Sequence, residues 1–537
     1  MDTAPEPSTS TPLAVPAGTP EAHAPQAAAA SPSPGGTAPE AGCEDALAPT
    51  DAVIVGSGPN GLAAAVTLAR AGLQVTVLEA EDTLGGGART LDLGLVPGLA
   101  HDVCSAVHPM ALASPFLREF DLAARGVDLR VPEVSYAQAL EGRPAAIAWR
   151  DLERTVDGLG PDGATWRRLF GPLVAHWPDL VELILSDKRS LPRTARTREG
   201  MVLAARLVAA VARHGTALWD RPWKSEAAPA LLTGVAAHAI VDLPSPAAAG
   251  TVMLLGTLAH AGGWPIPVGG SQAIVDALVT DLHTHGARLV TGHPVHGHAD
   301  LPPARAVLLD TDAAQAARIL GDRIPARTHR ALRRYPHGDG AATVDFVLSG
   351  PVPWRDGDVG RAGTVHIGGS RAEIAAAEHA VSRGRMPQRP VVLASDPTIL
   401  DPSRAVGALR PLWTYAHVPA GEPRDPSDAV IAQIERFAPG FRDVIVAAHA
   451  VPAARLHEHN RNLVAGDIAL GRVSLARMIA RPSAAPDPFH LGGGAYLCSA
   501  ATPPGPGVHG LSGWYAARRA LAREFGIHRA PSLRPEL

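Results

Sequence analysis

One stretch fixes most of what this chain can become. Asp51-Ala-Val-Ile-Val-Gly56 is a short β-branched apolar run, the pattern of a strand buried in a parallel sheet. Gly56-Ser-Gly58-Pro59-Asn60-Gly61 follows, and then an Ala- and Leu-rich segment, Leu62 to Ala71, that reads as a helix ending near Gly72. Gln74-Val-Thr-Val-Leu78 reads as a second strand leading into Glu79-Ala80, with the acid 18 residues beyond Gly61. A GxGxxG run alone says little in a chain with 54 glycines. Strand, glycine turn, helix, strand and acid in this order are the full context of a dinucleotide site. Gly56 permits the tight turn, Gly58 lets the backbone approach a pyrophosphate, and Gly61 lets helix and strand pack closely. The phosphates then meet the positive end of the helix, and the Glu79 carboxylate accepts from the adenosine ribose hydroxyls. Asn60 sits inside the turn, placed to brace the loop or a phosphate.

The rest of the composition bounds the setting. With 537 residues, a net charge of −4 and 46% hydrophobic residues, the chain has an ordinary globular balance and is no polybasic nucleic-acid binder. Its charge is unevenly spread. Residues 1–50 hold six acids, ten prolines, no Lys or Arg and no aromatic residue. Such a segment cannot bury enough apolar surface to offset its ordering entropy, and a disordered, acidic, Pro/Ala-rich tail is expected there. Only Lys188 and Lys224 among 48 basic residues are lysine, and asparagine occurs only at Asn60, Asn460 and Asn462. This is the bias of a GC-rich genome, under which a surviving asparagine is informative. Cys43, Cys104 and Cys498 are too few and too scattered for a disulfide framework or a four-cysteine zinc site. With no secretory or transit signal in the sequence, a cytoplasmic protein is expected. The longest uncharged stretch, Leu243 to Val275, is broken by prolines and glycines and does not read as a spanning helix.

Seven residues beyond the second strand, Gly85-Gly86-Gly87-Ala88-Arg89-Thr90 makes another glycine turn ending in arginine. Near the other end, Ala495-Tyr-Leu-Cys498-Ser499-Ala500 reads as a strand. A loop from Ala501 to Gly510 and a helix from about Gly513 to Glu524 follow. Such an arrangement aims backbone N–H groups at the electron-rich edge of a ligand. On these residues the chain resembles the amine oxidase and phytoene desaturase flavoprotein superfamily, and within it the phytoene-dehydrogenase-like oxidoreductases. His101 to Pro109, Leu412 to Pro419 and His459 to Ile468 share the resemblance, which spans about residues 51–525. Pro506 departs from a glycine common in that family and stiffens the loop while leaving Gly507 in place. The resemblance implies FAD, held by Gly56, Gly58, Pro59, Asn60, Gly61, Glu79, Ala80, Gly86, Gly87, Ala88, Arg89, Val295, Ser499, Ala500, Gly507 and Val508. Val295 is the match to a strand residue that contacts the adenine.

The expected fold class is α/β, a Rossmann-like FAD-binding domain interleaved with an α+β substrate domain. Residues 150–260 are mostly helical in pattern, Gly269 to Leu278 reads as a turn and helix, and 285–295 and 305–312 read as strands. The FAD-binding domain then takes 51–149, 265–334 and 456–530, and the substrate domain takes 150–264 and 335–455. Five histidines between His283 and His298 invite a zinc reading, but they straddle a turn and a strand that point them apart, so no metal is expected. No GxSxG elbow supports serine hydrolysis. The absence of a second dinucleotide fingerprint argues against a separate NAD(P)H domain and leaves oxygen, a quinone or a protein carrier as electron acceptor. Cys104 and Cys498 read as buried thiols rather than a redox pair. The basic stretch Lys188 to Arg198 and the helix from Met201 to Ala212 suit either a membrane surface or an exposed connector before a core helix. The sequence leaves the oligomeric state open.

The activity this implies is an FAD-dependent oxidoreductase, dehydrogenating a C–C or C–N bond of a largely apolar organic substrate by hydride transfer to flavin N5. His509, in the C-terminal loop, is the first candidate for a catalytic or flavin-tuning side chain, with His108 and His417 behind it. Amine oxidation is the second reading, with Trp413, Tyr415 and Trp514 as an aromatic cage. A third is a non-catalytic binding protein like the Rab GDP-dissociation inhibitors, which share this general fold.

Overall fold

The computed structural model describes residues 48–536; all but the last three residues of the expected tail, and with them Cys43, lie outside the described residues. Six strands make the first sheet: Thr50–Val55 (β1), Val75–Leu78 (β2), Arg288–Val290 (β3), Ala304–Leu309 (β4), His490–Gly492 (β5) and Ala495–Leu497 (β6). Their order is β5-β6-β4-β1-β2-β3, parallel except for the edge strand β5. Val55 pairs with both Leu78 and Leu309, and Leu309 pairs with Leu497. This register sets Gly56, Glu79, Asp310 and Cys498 side by side at the carboxyl edge, where open α/β sheets bind ligands.

Two helices back the glycine turn. Pro59–Ala69 (α1) starts on Pro59, whose fixed φ and missing N–H suit a first helical position. Every residue from Asn60 to Ala69 is buried, and each large side chain there, such as Leu62 or Leu68, gains roughly 1.5–3 kcal/mol by leaving water. Leu511–Glu524 (α6) crosses it so closely that a Cβ on Gly513 would lie 1.7 Å from the Asn60 carbonyl oxygen. On the other face Val53, Val307 and Leu309 pack against the helix Ala313–Leu320.

The second sheet has seven strands in the order 445–451, 340–348, 410–418, 392–395, 362–367, 134–138, 146–149. It is antiparallel except where Val134–Gln138 runs parallel to Ala362–Ile367. The strands at 134–149 therefore pair away from the dinucleotide sheet, and the expected boundary at residue 149 falls about 15 residues late. Against this sheet and beside the first lie the helices Arg198–His214 (α2), Ala227–Ala237 (α3) and Pro246–Ala261 (α4). Ser245 caps α4 by accepting the Ala248 N–H at 3.3 Å. Among the described residues no helix is long and apolar enough to cross a membrane. No group of three or more His, Cys, Asp or Glu among them is placed to hold a metal. The histidines between 283 and 298 bond locally, His285 to the Asp281 carbonyl and His293 to that of Asp300.

Candidate active site

A cavity of about 680 Å³ runs along the carboxyl edge of the first sheet and on between α2, α4 and the second sheet. One end is polar and glycine-lined. Gly56, Gly58, Pro59, Asn60, Glu79, Ala80, Gly86, Gly87, Arg89 and Val295 all face it. The glycines are obligatory for contacts within the protein as well as for a ligand. A Cβ on Gly58 would lie 2.6 Å from Asp310 Oδ2, one on Gly61 2.2 Å from the Gly56 carbonyl, and one on Gly86 3.0 Å from Gly58 Cα. Glu79 is buried; its Oε2 accepts from the Ser57 N–H at 2.9 Å and Ser57 Oγ at 2.5 Å, and Oε1 accepts the Glu81 N–H at 3.0 Å. These bonds fix the carboxylate, and Oε1, with one bond accepted, retains capacity for a ribose hydroxyl. Arg89 donates to Gly86 O at 3.0 Å, Thr83 Oγ1 at 3.1 Å and His459 O at 2.6 Å, so it locks the second glycine turn to the 459–462 loop.

Asp310 is the residue at this end that the sequence reading passed over. It is buried, and its Oδ2 accepts the Gly61 N–H at 2.8 Å, inside the first turn of α1. Burial pushes its pKa up to about 7, with Glu79 raising it further against the Gly61 bond. A carboxyl that protonates so readily can sit beside a diphosphate without adding a full like charge. Position gave the available signal: Asp310 directly follows a strand, at the edge where ligands bind.

The three asparagines converge. Asn60, Asn460 and Asn462 all line the cavity. Asn462 donates to Asp310 O at 3.0 Å and accepts the Asp312 N–H at 2.8 Å, while Asn460 Oδ1 accepts the Asn462 N–H at 3.0 Å. Asn60 Oδ1 is buried without a partner, a polar atom left for a ligand at a site whose glycine cradle and helix N-terminus are those of a dinucleotide. The residues present fit FAD.

The C-terminal loop reaches the cavity through Ala500, Pro504, Pro506, Gly507 and Val508. Gly507 has φ +135° and its missing Cβ would lie 1.9 Å from Met110 Cε. Gly61, Ala88 and Ser499 stand behind the wall rather than on it, and Ser499 accepts the Ala501 and Thr502 N–H groups. His509 is likewise off the wall. It is fully buried, its Nδ1 accepts the Leu511 N–H at 3.0 Å and its Nε2 therefore donates to Gly505 O at 3.1 Å. Both ring nitrogens hold the loop, and burial keeps the ring neutral with a pKa lowered to about 4. The first catalytic candidate of the sequence reading is thus a loop brace.

The other end of the cavity is apolar, walled by Ile184, Leu207, Val211, Leu254, Trp264 and Leu393 among others. His108 faces the junction of the two ends. Its Nε2 bonds Ser271 Oγ at 2.8 Å, its Nδ1 is unpartnered, and burial lowers its pKa to about 4. His417 does not reach the cavity; it is paired through Nδ1 with Glu378, both fully buried behind the sheet. In its place stands His238, at the end of α3, a residue that no motif marks. Its Nε2 lies 2.9 Å from His366 Nε2, and burial lowers its pKa to about 3. Trp413 and Tyr415 face the cavity with ring centroids 5.2 Å apart, whereas Trp514 lies on α6 under Arg518 and does not join them. Tyr136 OH, Gln138 Oε1, His366 Nδ1 and Trp413 Nε1 are buried and unpartnered around this wall. Cys104 lines the cavity and Cys498 is buried beneath it, and both are free thiols.

Comparison with known proteins agrees with this geometry. Residues 54–120 match the NAD(P)-binding Rossmann-like domain family. An uncharacterised protein of Mycobacterium tuberculosis is 28% identical over 412 residues, covering 67% of this chain and 71% of that one. A hydroxyneurosporene desaturase of Cereibacter sphaeroides is 34% identical over 124 residues, 22% of this chain and 24% of its own. In fold, a putrescine oxidase solved with putrescine bound superposes with a TM-score of 0.56 at 18% identity, over 88% of this chain and 99% of its own. The fold and the glycine cradle define the class, a Rossmann-like dinucleotide-binding protein. Within that class, the chain is similar over part of its length to a desaturase and in its fold to an amine oxidase.

Proposed function

We propose that the protein dehydrogenates a largely apolar organic substrate, delivering its electrons through FAD to oxygen, a quinone or a protein carrier in a reducing, cytoplasmic setting. One observation carries this reading: a single cavity joins the dinucleotide cradle at Gly58 and Glu79 to an apolar chamber at Leu254 and Trp264. Bound FAD supplies a two-electron acceptor. The chain's own residues do the rest. Gly58, Gly86 and the α1 N-terminus receive the diphosphate, Glu79 the ribose, and the loop from Pro504 to Val508 the flavin edge. The apolar walls exclude water and orient the substrate by shape. His108 and His238, both neutral, offer hydrogen-bonding nitrogens to a polar group on the substrate or to a departing proton.

Amine oxidation is the second reading, favoured by Trp413 and Tyr415 side by side on the cavity wall. The visible spectrum of the purified protein tests the cofactor. Anaerobic mixing with apolar candidate substrates then tests the reaction, with bleaching of the flavin band as the expected result. Bleaching only by amines, with peroxide released in air, favours the second reading. A colourless protein that takes up no FAD overturns both.

A further inference from the structure

The chamber has two unlike sides. Opposite the second sheet it is walled by α2, α4 and the short helix Leu475–Ile479 (α5), through apolar side chains such as Leu207, Leu254 and Ile479. The face of the sheet turned towards it is polar. Thr343, Tyr415, Leu393, His366 and Gln138 lie in one register across five strands and so share a face. Thr364, two residues before His366, shares it too, and Thr364, Leu393 and Tyr415 line the cavity. The residues between them, such as Val344, Val365, Val392 and Ala416, point the other way into an apolar core. Helix α3 lies on the polar face and sets one histidine against another. A Cβ on Gly234 would lie 2.3 Å from Gln138 Oε1 and 2.8 Å from His366 Nδ1, so this glycine makes room for the His366 ring. One turn on, His238 reaches the cavity with its Nε2 2.9 Å from His366 Nε2. Trp264 stands edge-on to both imidazoles. The contact uses one ring nitrogen of His238; its Nδ1 bonds nothing among the described residues, and neither does the Thr364 hydroxyl.

Burial lowers the pKa of both histidines, so both rings are neutral and their contact carries one proton. With that proton on His238, its Nδ1 is an acceptor; with it on His366, its Nδ1 is a donor. Charge is kept off this side. None of the basic residues on the cavity wall, Arg89, Lys188, Arg318 and Arg461, belongs to the sheet. Asp345, on the same face beside Trp413, is raised well above the ordinary carboxyl pKa by burial. Asp339, the acid of the wall that adjoins the sheet, accepts from Ser382 Oγ at 3.0 Å. A charged head group would lose its hydration here without a facing counter-charge. We propose that the sheet side of the chamber binds an uncharged oxygen function, a hydroxyl or a carbonyl, on the otherwise apolar substrate, and that His238 selects it. The substrate class is then apolar alcohols and ketones. The oxygen is an anchor rather than the reacting centre. This deepens the proposed function and rests on its reading of the chamber as the substrate site.

Calorimetric titration of the purified full-length protein with probes on one skeleton reads the head group alone: 4-phenylbutan-1-ol, butylbenzene, 4-phenylbutanoate and 4-phenylbutylamine. The alcohol is expected to bind at least about tenfold more tightly than the carboxylate or the ammonium. His238→Phe removes the nitrogens and keeps a ring. It is expected to weaken alcohol binding about five- to tenfold and to leave butylbenzene within about twofold of wild type. Thr364→Val, of the same shape, is expected to weaken the alcohol alone, by about twofold or more. Should His238→Phe fail to fold by circular dichroism, Thr364→Val decides. A charged probe that binds tightest, a wild type that binds none of the probes, or variants that weaken alcohol and hydrocarbon alike would overturn the inference. A protein with this selectivity whose flavin no apolar candidate bleaches would instead overturn the proposed function alone.

Discussion

Asp310 concentrates the residue-scale chemistry of the cofactor end. Its folded pKa of about 7 stands above the ordinary 3.8, so the sign of its effect on stability follows from linkage. Below pH 3.8 both folded and unfolded states are protonated. As pH rises towards 7 the unfolded carboxyl ionises while the folded one does not, and stability falls; above 7 the loss is complete. Asp310→Asn keeps an acceptor for the Gly61 N–H and removes the titration. Its stability relative to wild type is expected to climb between about pH 4 and 7 and then level off, by at most roughly 4 kcal/mol at about 1.4 kcal/mol per pH unit, read as a growing difference in melting temperature. Two parallel melting curves across that range would refute the assignment. His509 makes a contrasting case. With both nitrogens bonded to its own loop, His509→Ala is expected to cost roughly 1–3 kcal/mol and loosen flavin retention. The pH profile of turnover should not move, whereas a catalytic histidine would shift it. Sequence drew attention to His509 through its loop, but which way a ring points depends on Gly505 and Leu511 folding round it.

At the scale of elements, helix-on-helix contact holds the glycine turn in place. A methyl group at Gly513 would press on the Asn60 carbonyl and the Ala64 nitrogen, both backbone, so neither atom can give way without shifting α1. Gly513→Ala is expected to destabilise the fold by about 3 kcal/mol or more and to lower FAD content together with the melting temperature. Wild-type flavin retention in this variant would show that α1 tolerates displacement. The unit from β1 through β2 was legible in the sequence because all its signals are local: β-branched strands, a glycine turn, an alanine-rich helix. The strands at 134–149 were legible only as strands, since the partner Ala362–Ile367 that draws them into the second sheet lies more than 200 residues away. Asp310 was hidden for the same reason. It neighbours the turn only because β4 pairs with β1. His238 was hidden too, as an unremarked residue closing a buried helix.

Across the whole molecule, one cavity serves both cofactor and substrate, and the two uses can be separated. Gly250 on α4 lines the chamber, and a Cβ there would meet no atom within 4 Å. Gly250→Phe is therefore expected to fold normally and show an unchanged flavin spectrum while cutting substrate-driven flavin bleaching at least about tenfold, by filling space rather than by touching the cofactor end. Unimpaired bleaching would place the substrate elsewhere. The dinucleotide sheet itself is gathered from far along the chain: β1 and β2 come from residues 50–78, β3 and β4 from 288–309, β5 and β6 from 490–497. Gly61 and Asp310, which face each other across the turn, are 249 residues apart. A ribosome making this protein has thus delivered the phosphate-binding turn long before the strands that complete its edge. Full cofactor capture must wait until residues 490–508 have been made, and a message truncated before residue 490 yields a polypeptide with the fingerprint, Glu79 and Asp310 intact but without the last two strands and the loop that complete the edge.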